Sequence, residues 1–316
     1  MRSTLRSTLD EVMILLDAGV ALYRRHLARF LVLAGLFSLP AMVATFNLLL
    51  AIDDIAEAGI EEISLLGLSL FLTSLLMIPP LTRATRIALE DEVPSLRSVL
   101  WRWPRLDRWL LATAYGGCLI PVWLMLFSTV SGILFGMCCG VIGLAAYVVV
   151  FASVMANTAL GFLLLPVLIV ATLIAYLLYI VFMGAGLMAA LYNVQPLIDD
   201  TIPLAEAFRL SWSLLFARIG YNLLVFVCAA LIFSVASLIV TIAMAVLLPA
   251  PFGLILGANH PLTRGLSAVA WVIGLAVAMP LLPIWSTLHY RWRLNRYKGR
   301  DLARQIQQAG LVEKAF

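Results

Sequence analysis

Five stretches of the chain carry no charged residue: Phe30–Ile52, Ile63–Thr82, Trp109–Ile198, Ile219–Thr263 and Gly265–Tyr290. A charged side chain at the bilayer centre costs about 2.5–3.5 kcal/mol on insertion scales, so such windows mark membrane spans. A helix needs about 20 residues to cross. The first two windows and the last therefore predict one helix each. Ile219–Thr263 also predicts one, because Pro249, Pro251, Gly253, Gly257, Asn259 and Pro261 crowd its end with helix breakers. Trp109–Ile198 is long enough for more. It is read as two full spans, near 110–134 and 160–190, with a re-entrant or tilted segment at 136–156 between them. Four short spans are the alternative.

Ahead of three of these spans lie segments with apolar residues at helical spacing. They are EVMILLDAGVALYRRHLARFLVLA from Glu11, PSLRSVLWRWPRLDRWLLATA from Pro94 and PLAEAFRLSWSLLFARIGYNLLV from Pro203. In the first, Leu5, Leu9, Val12, Leu16, Val20, Tyr23 and Leu27 form an apolar stripe. Each segment reaches an aromatic residue, then an Arg, and enters a span, and each following hairpin exits into acids. The pattern predicts one integral domain over 1–316, an all-α polytopic membrane protein with about six principal transmembrane helices. Its three repeats of interfacial helix plus hairpin would occupy 1–92, 93–200 and 201–300, with 301–316 as a tail.

Charge supplies the orientation. The segment before the first span holds Arg2, Arg6, Arg24, Arg25 and Arg29, whereas the first loop holds Asp53, Asp54, Glu57, Glu61 and Glu62 and no base. The second loop and the C-terminal tail are again rich in Arg, and Arg264 alone is left on the acidic side. The positive-inside rule then puts both termini in the cytoplasm. This is expected for a bacterial inner-membrane protein, with Trp101, Trp103, Trp109, Trp212 and Trp292 at the cytoplasmic headgroup level. The basic flanks there should attract anionic lipid.

Composition closes other routes. The 316 residues are 63% hydrophobic and 12% charged, against roughly a quarter charged in ordinary soluble domains. A soluble enzyme, a disordered chain and a nucleic-acid binder are excluded. The first 29 residues carry five Arg and three acids before any apolar run begins, which is not a cleaved signal peptide. Cys118, Cys138, Cys139 and Cys228 lie in apolar stretches without metal spacing and read as small buried hydrophobes.

The segments ALYRRHLARFLVLAG, VPSLRSVLWRW, PLAEAFRLSWSLLFARIG and LHYRWRLNRYKG together resemble the bacterial membrane domain attached to some glycerophosphodiester phosphodiesterases. The core of the third, Phe208-Arg209-Leu210-Ser211-Trp212, carries most of the resemblance. It implies a helical membrane domain in which Arg209, Ser211 and Trp212 have a structural or interfacial role. The soluble catalytic barrel of that family has no counterpart here, so its activity is not implied.

Chemistry in the chain is sparse. No HExxH, GxSxG or Walker-type motif occurs, and no two of His26, His260 and His289 have metal-ligand spacing. His289 reads as a solvated histidine at the cytoplasmic end of the last span. No cofactor, metal or catalytic residue is expected. Ser128, Gly132, Gly136 and Gly140 recur every four residues and mark a helix-packing face, either within the chain or between copies. The inner acids, including Glu90, Asp199 and Asp200, are expected to pair with Arg83, Arg86, Arg209 and Arg218. These readings favour a non-catalytic membrane scaffold or accessory subunit with a protein partner or homo-oligomer. The alternatives are a transporter or exporter component for a lipid or small hydrophobic molecule, and a pigment- or quinone-binding subunit.

Overall fold

Helices occupy every charge-free window for which the structure, a computed structural model, describes residues. Those residues are 2–51, 60–90, 92–101, 106–135, 147–148, 151, 155, 181–182, 184–199, 201–257, 260–297 and 299, and no strand occurs among them. The chain is all-α in that part. The proposed 136–156 segment falls largely outside the described residues, as do Asp200, Gly136, Gly140, the tail and most of the acidic loop.

Helix α1 spans Arg2–Arg25, α2 Leu27–Ala51 and α3 Ile60–Leu89. A short π-helical turn at Arg97–Trp101 precedes α4, Leu106–Phe135. Helix α5 covers 184–198. Then follow α6 (Leu204–Phe216), α7 (Ile219–Leu247), α8 (Pro249–Leu256), α9 (Pro261–Ala278) and α10 (Leu281–Tyr297). Pro40, Pro79, Pro80 and Pro121 lie inside continuous helices, as apolar membrane helices tolerate.

The last two windows differ from one helix apiece. Ile219–Thr263 yields α7 and then the separate turns of α8, which stop at Gly257 with φ 91°, a left-handed backbone that suits Gly. The final window divides at Met279 and Pro280 into α9 and α10, because Pro280 offers no amide hydrogen to continue the α9 ladder. Helix α10 restarts at once and carries the chain through Arg291, Arg293 and Arg296.

Among the described residues, three helical stretches are long and apolar enough to cross a membrane: Asp107–Phe127, Ile219–Leu256 and Pro261–Tyr297. Leu27–Pro40 is a shorter apolar stretch. Only 28% of the most apolar window of Ile219–Leu256 is buried within the protein. Leu231, Val235, Leu238, Ile242 and Val246 are exposed at helical spacing along one side of α7. An unbroken apolar stripe of this kind is stable against lipid rather than water.

Packing runs around α9 and α10. Helix α9 lies against α2 and α7, α2 against α3, α3 against α4, and α10 against α1 and α3. The crossings rely on small residues. A Cβ on Gly274 would lie 2.8 Å from the Thr241 backbone, and one on Gly184 would lie 2.8 Å from the Ala230 Cβ. Helix α1 is seated through Val12, Leu16, Gly19 and Tyr23, all buried. The Trp285 indole donates to the Leu16 carbonyl at 2.9 Å, and the Tyr23 hydroxyl donates to the Val277 carbonyl at 2.6 Å. Leu9 and Leu27, from the predicted stripe, are exposed instead. The apolar face of α1 is thus divided between the protein and its surroundings.

Candidate functional site

One end of the bundle gathers almost all the buried polar side chains. The end of α5 and the turn after it supply the first group. Asp199 receives the Thr201 hydroxyl at 2.7 Å, the Tyr290 hydroxyl at 3.3 Å and an ion pair from Arg86 at 3.5 Å. Arg86 also donates to the carbonyls of Gln195 (2.9 Å) and Ile198 (3.1 Å). Arg108, from the start of α4, donates to the carbonyls of Asp199 and Ile202. Gln195 and Ile198 lie in the last turn of α5 and Asp199 and Ile202 in the turn after it, so two guanidiniums tie down one helix end and the turn that follows. Burial acts to raise the Asp199 carboxyl, but the Arg86 charge and the hydrogen bonds from Thr201 and Tyr290 outweigh it. They hold the carboxyl below the usual range.

One turn deeper, Gln195 joins three helices. Its amide oxygen accepts from the Thr287 hydroxyl at 3.1 Å, and its nitrogen donates to Leu191 at 3.3 Å and to Thr82 at 3.5 Å. Asn193 faces the other way. With its nitrogen towards the Ser211 carbonyl (2.9 Å), its oxygen accepts from the Trp123 indole at 3.2 Å. The Ser211 hydroxyl donates back to the Asn193 carbonyl at 2.7 Å.

The third group centres on Asn222. Its amide nitrogen donates to the carbonyls of Leu214 and Leu215, 3.0 and 2.6 Å away, which closes the end of α6. Its oxygen then has only an acceptor role towards His289 Nε2 at 2.9 Å. His289 must carry its proton on Nε2, and Nδ1 is left as a buried acceptor with no partner. The imidazole is 0% exposed. It is walled by Tyr192, Tyr221, Phe226 and Trp292, with ring centroids 4.9 to 6.3 Å away.

This corrects the sequence reading of His289 as solvated: the helix end lies inside the protein. The spacing of Ser286, His289 and Arg293 puts them on one face of α10, and all three are buried. That spacing was the available signal. Of the expected ion pairs, Arg86–Asp199 forms. Glu90 instead meets Arg291 at 3.0 Å. Arg209 and Arg218 are exposed and make no ion pair among the described residues. Ser211 is buried, while Trp212 is exposed and stacks on Trp123 (6.3 Å) and Phe216 (5.9 Å). Gly132 lies within α4. Cys118 is exposed on α4 and Cys228 is half-buried, so Cys118 is not the buried hydrophobe expected.

The arrangement anchors helix ends to one another. Arg86, Arg108 and Asn222 are directed at backbone carbonyls. Among the described residues, no three His, Cys, Asp or Glu side chains are grouped to hold a metal ion. No protein-family model, curated protein or solved structure matches the chain.

Proposed function

We propose that the chain is a non-catalytic integral-membrane scaffold or accessory subunit that holds a partner protein, or a second copy of itself, in a bacterial inner membrane. It would cross with six principal spans arranged as three interfacial-helix-plus-hairpin repeats, both termini cytoplasmic. One observation carries this reading: the polar side chains collect at one end and are used mainly on the chain's own backbone, while the outward flank of α7 is apolar. Such a body is rigid at its polar end and sticky along its sides. The basic residues Arg29, Arg86, Arg108, Arg291 and Arg296 all make their contacts at that same end, which supports a cytoplasmic assignment for it. The likeness of Phe208–Trp212 to the membrane domain of the phosphodiesterases is compatible with a domain that works beside a separate catalytic partner.

Purification of the tagged chain from native membranes in mild detergent tests the proposal. A second polypeptide, or a second copy, should co-elute at fixed stoichiometry. A monodisperse monomer that moves a lipid between leaflets of a reconstituted vesicle would overturn it in favour of a transporter.

A further inference from the structure

Arg293 is a buried base without an acid partner among the described residues. It is 6% exposed, and its Nε has no hydrogen-bond partner. A buried guanidinium without a counter-charge is strongly unfavourable. Its neighbours sharpen the demand. The buried Tyr192 hydroxyl faces the same guanidinium as a neutral partner, which supplies no counter-charge. Tyr221 stacks on Trp292 at 5.2 Å, and its buried hydroxyl is unpartnered.

The charges acting on Tyr221 are those of Glu11, Arg296, Arg293 and Arg218. Glu11 is engaged by Arg296 at 3.6 Å, so Arg293 and Arg218 are the two bases left without an acid. Arg218 is also the N-cap of α7, a helix of 29 residues with no side-chain cap. Its first amide hydrogens and the positive end of its dipole face the same corner. The neighbourhood thus offers a planar guanidinium fork, two phenol donors and helix amides, all calling for one anion with several acceptor oxygens.

We propose that this corner, between the start of α7 and the end of α10, binds a phosphate group, carried by an anionic phospholipid or free in solution. Arg293 would take two of its oxygens in a bidentate pair, and Tyr221 and the α7 amides a third. The proposal deepens the membrane reading, which supplies the lipid source, and does not depend on a protein partner.

The test uses the full chain, stripped of lipid in detergent and followed by native mass spectrometry and thermal unfolding. Phosphatidylglycerol, phosphatidylcholine and inorganic phosphate are added separately. Phosphatidylglycerol should bind and raise the unfolding temperature, while phosphatidylcholine, whose headgroup carries no net charge, should do so far less. Arg293→Gln should weaken phosphatidylglycerol binding roughly tenfold, the loss of one charge-assisted contact. Arg209→Gln, on an exposed side chain, should leave binding unchanged. Equal protection by inorganic phosphate, lost in Arg293→Gln, would support the proposal with the free ion as source.

If Arg293→Gln does not fold, Tyr221→Phe keeps the ring and removes only the hydroxyl, and should weaken binding about threefold. Equal phosphate and phospholipid binding by the wild type and the folded variants overturns the proposal. A chain that purifies without a partner yet retains phosphatidylglycerol would defeat the scaffold reading and leave this one standing. A chain recovered from the soluble fraction would defeat the membrane reading itself.

Discussion

Asp199 is held by an ion pair, two hydroxyls and the amide of Thr201, and each contact favours its charged form. A carboxyl held below its ordinary value adds stability above the unfolded-state value of about 3.9. That contribution is lost as pH falls through the lower folded value. Unfolding in detergent should therefore be insensitive to this group near neutrality and steepen below about pH 4. Asp199→Asn should flatten that acid limb and cost about 1–3 kcal/mol at pH 7, because Arg86 keeps its charge and loses its acid. A thermal-unfolding series from pH 3 to 7 checks both effects, and parallel curves for the two proteins would refute the role given to Asp199.

Little of this was legible at the scale of single residues. Arg86 and Asp199 suggest one another by charge, but Asn222 and His289 lie 67 positions apart and form a pair only through the tilt of α7 against α10. A lone Asn in an apolar window has the same sequence signature whether it faces lipid, water or a histidine.

At the scale of elements, charge-free windows marked where helices lie but not where they end: α3 runs on through Arg83 and Arg86, and Pro40 and Pro121 stay inside helices while Pro280 divides one. Gly132, Gly136 and Gly140 advertise a packing face by their spacing, but Gly136 and Gly140 lie outside the described residues; the close approaches that are described include Gly184 and Gly274. Gly274 stands in a repeat of its own, Ala270, Gly274 and Ala278, and its importance comes from Thr241 on another helix. Gly274→Ala should force α9 and α7 apart, costing about 1–3 kcal/mol by overpacking. Gly35→Ala should be neutral or slightly stabilising, since a Cβ there meets nothing within 4 Å and Ala is the better helix former. Unfolding midpoints of the two variants, measured side by side, decide the matter; equal losses would mean that the crossing is looser than described.

For the whole molecule, the apolar windows announced an all-α chain with long apolar helices, because hydropathy is a sum over many residues and survives errors at any one. The proposed orientation rests on the asymmetry of bases. A single cysteine at position 57, in a variant lacking the native four, should react with an impermeant maleimide from the periplasmic side of intact cells. Labelling only in inverted vesicles would reverse the topology.

The seat of α1 sets the order in which the molecule is completed. Leu16 and Trp285 are separated by 269 positions, and Tyr23 and Val277 by 254. Helix α1 thus waits for partners made more than 250 positions later. Until those partners are made, its Val12–Leu16–Tyr23 side lacks its seat. Chains cut short before α10 would keep that side uncovered indefinitely, which gives quality-control proteases a way to tell an unfinished copy from a finished one.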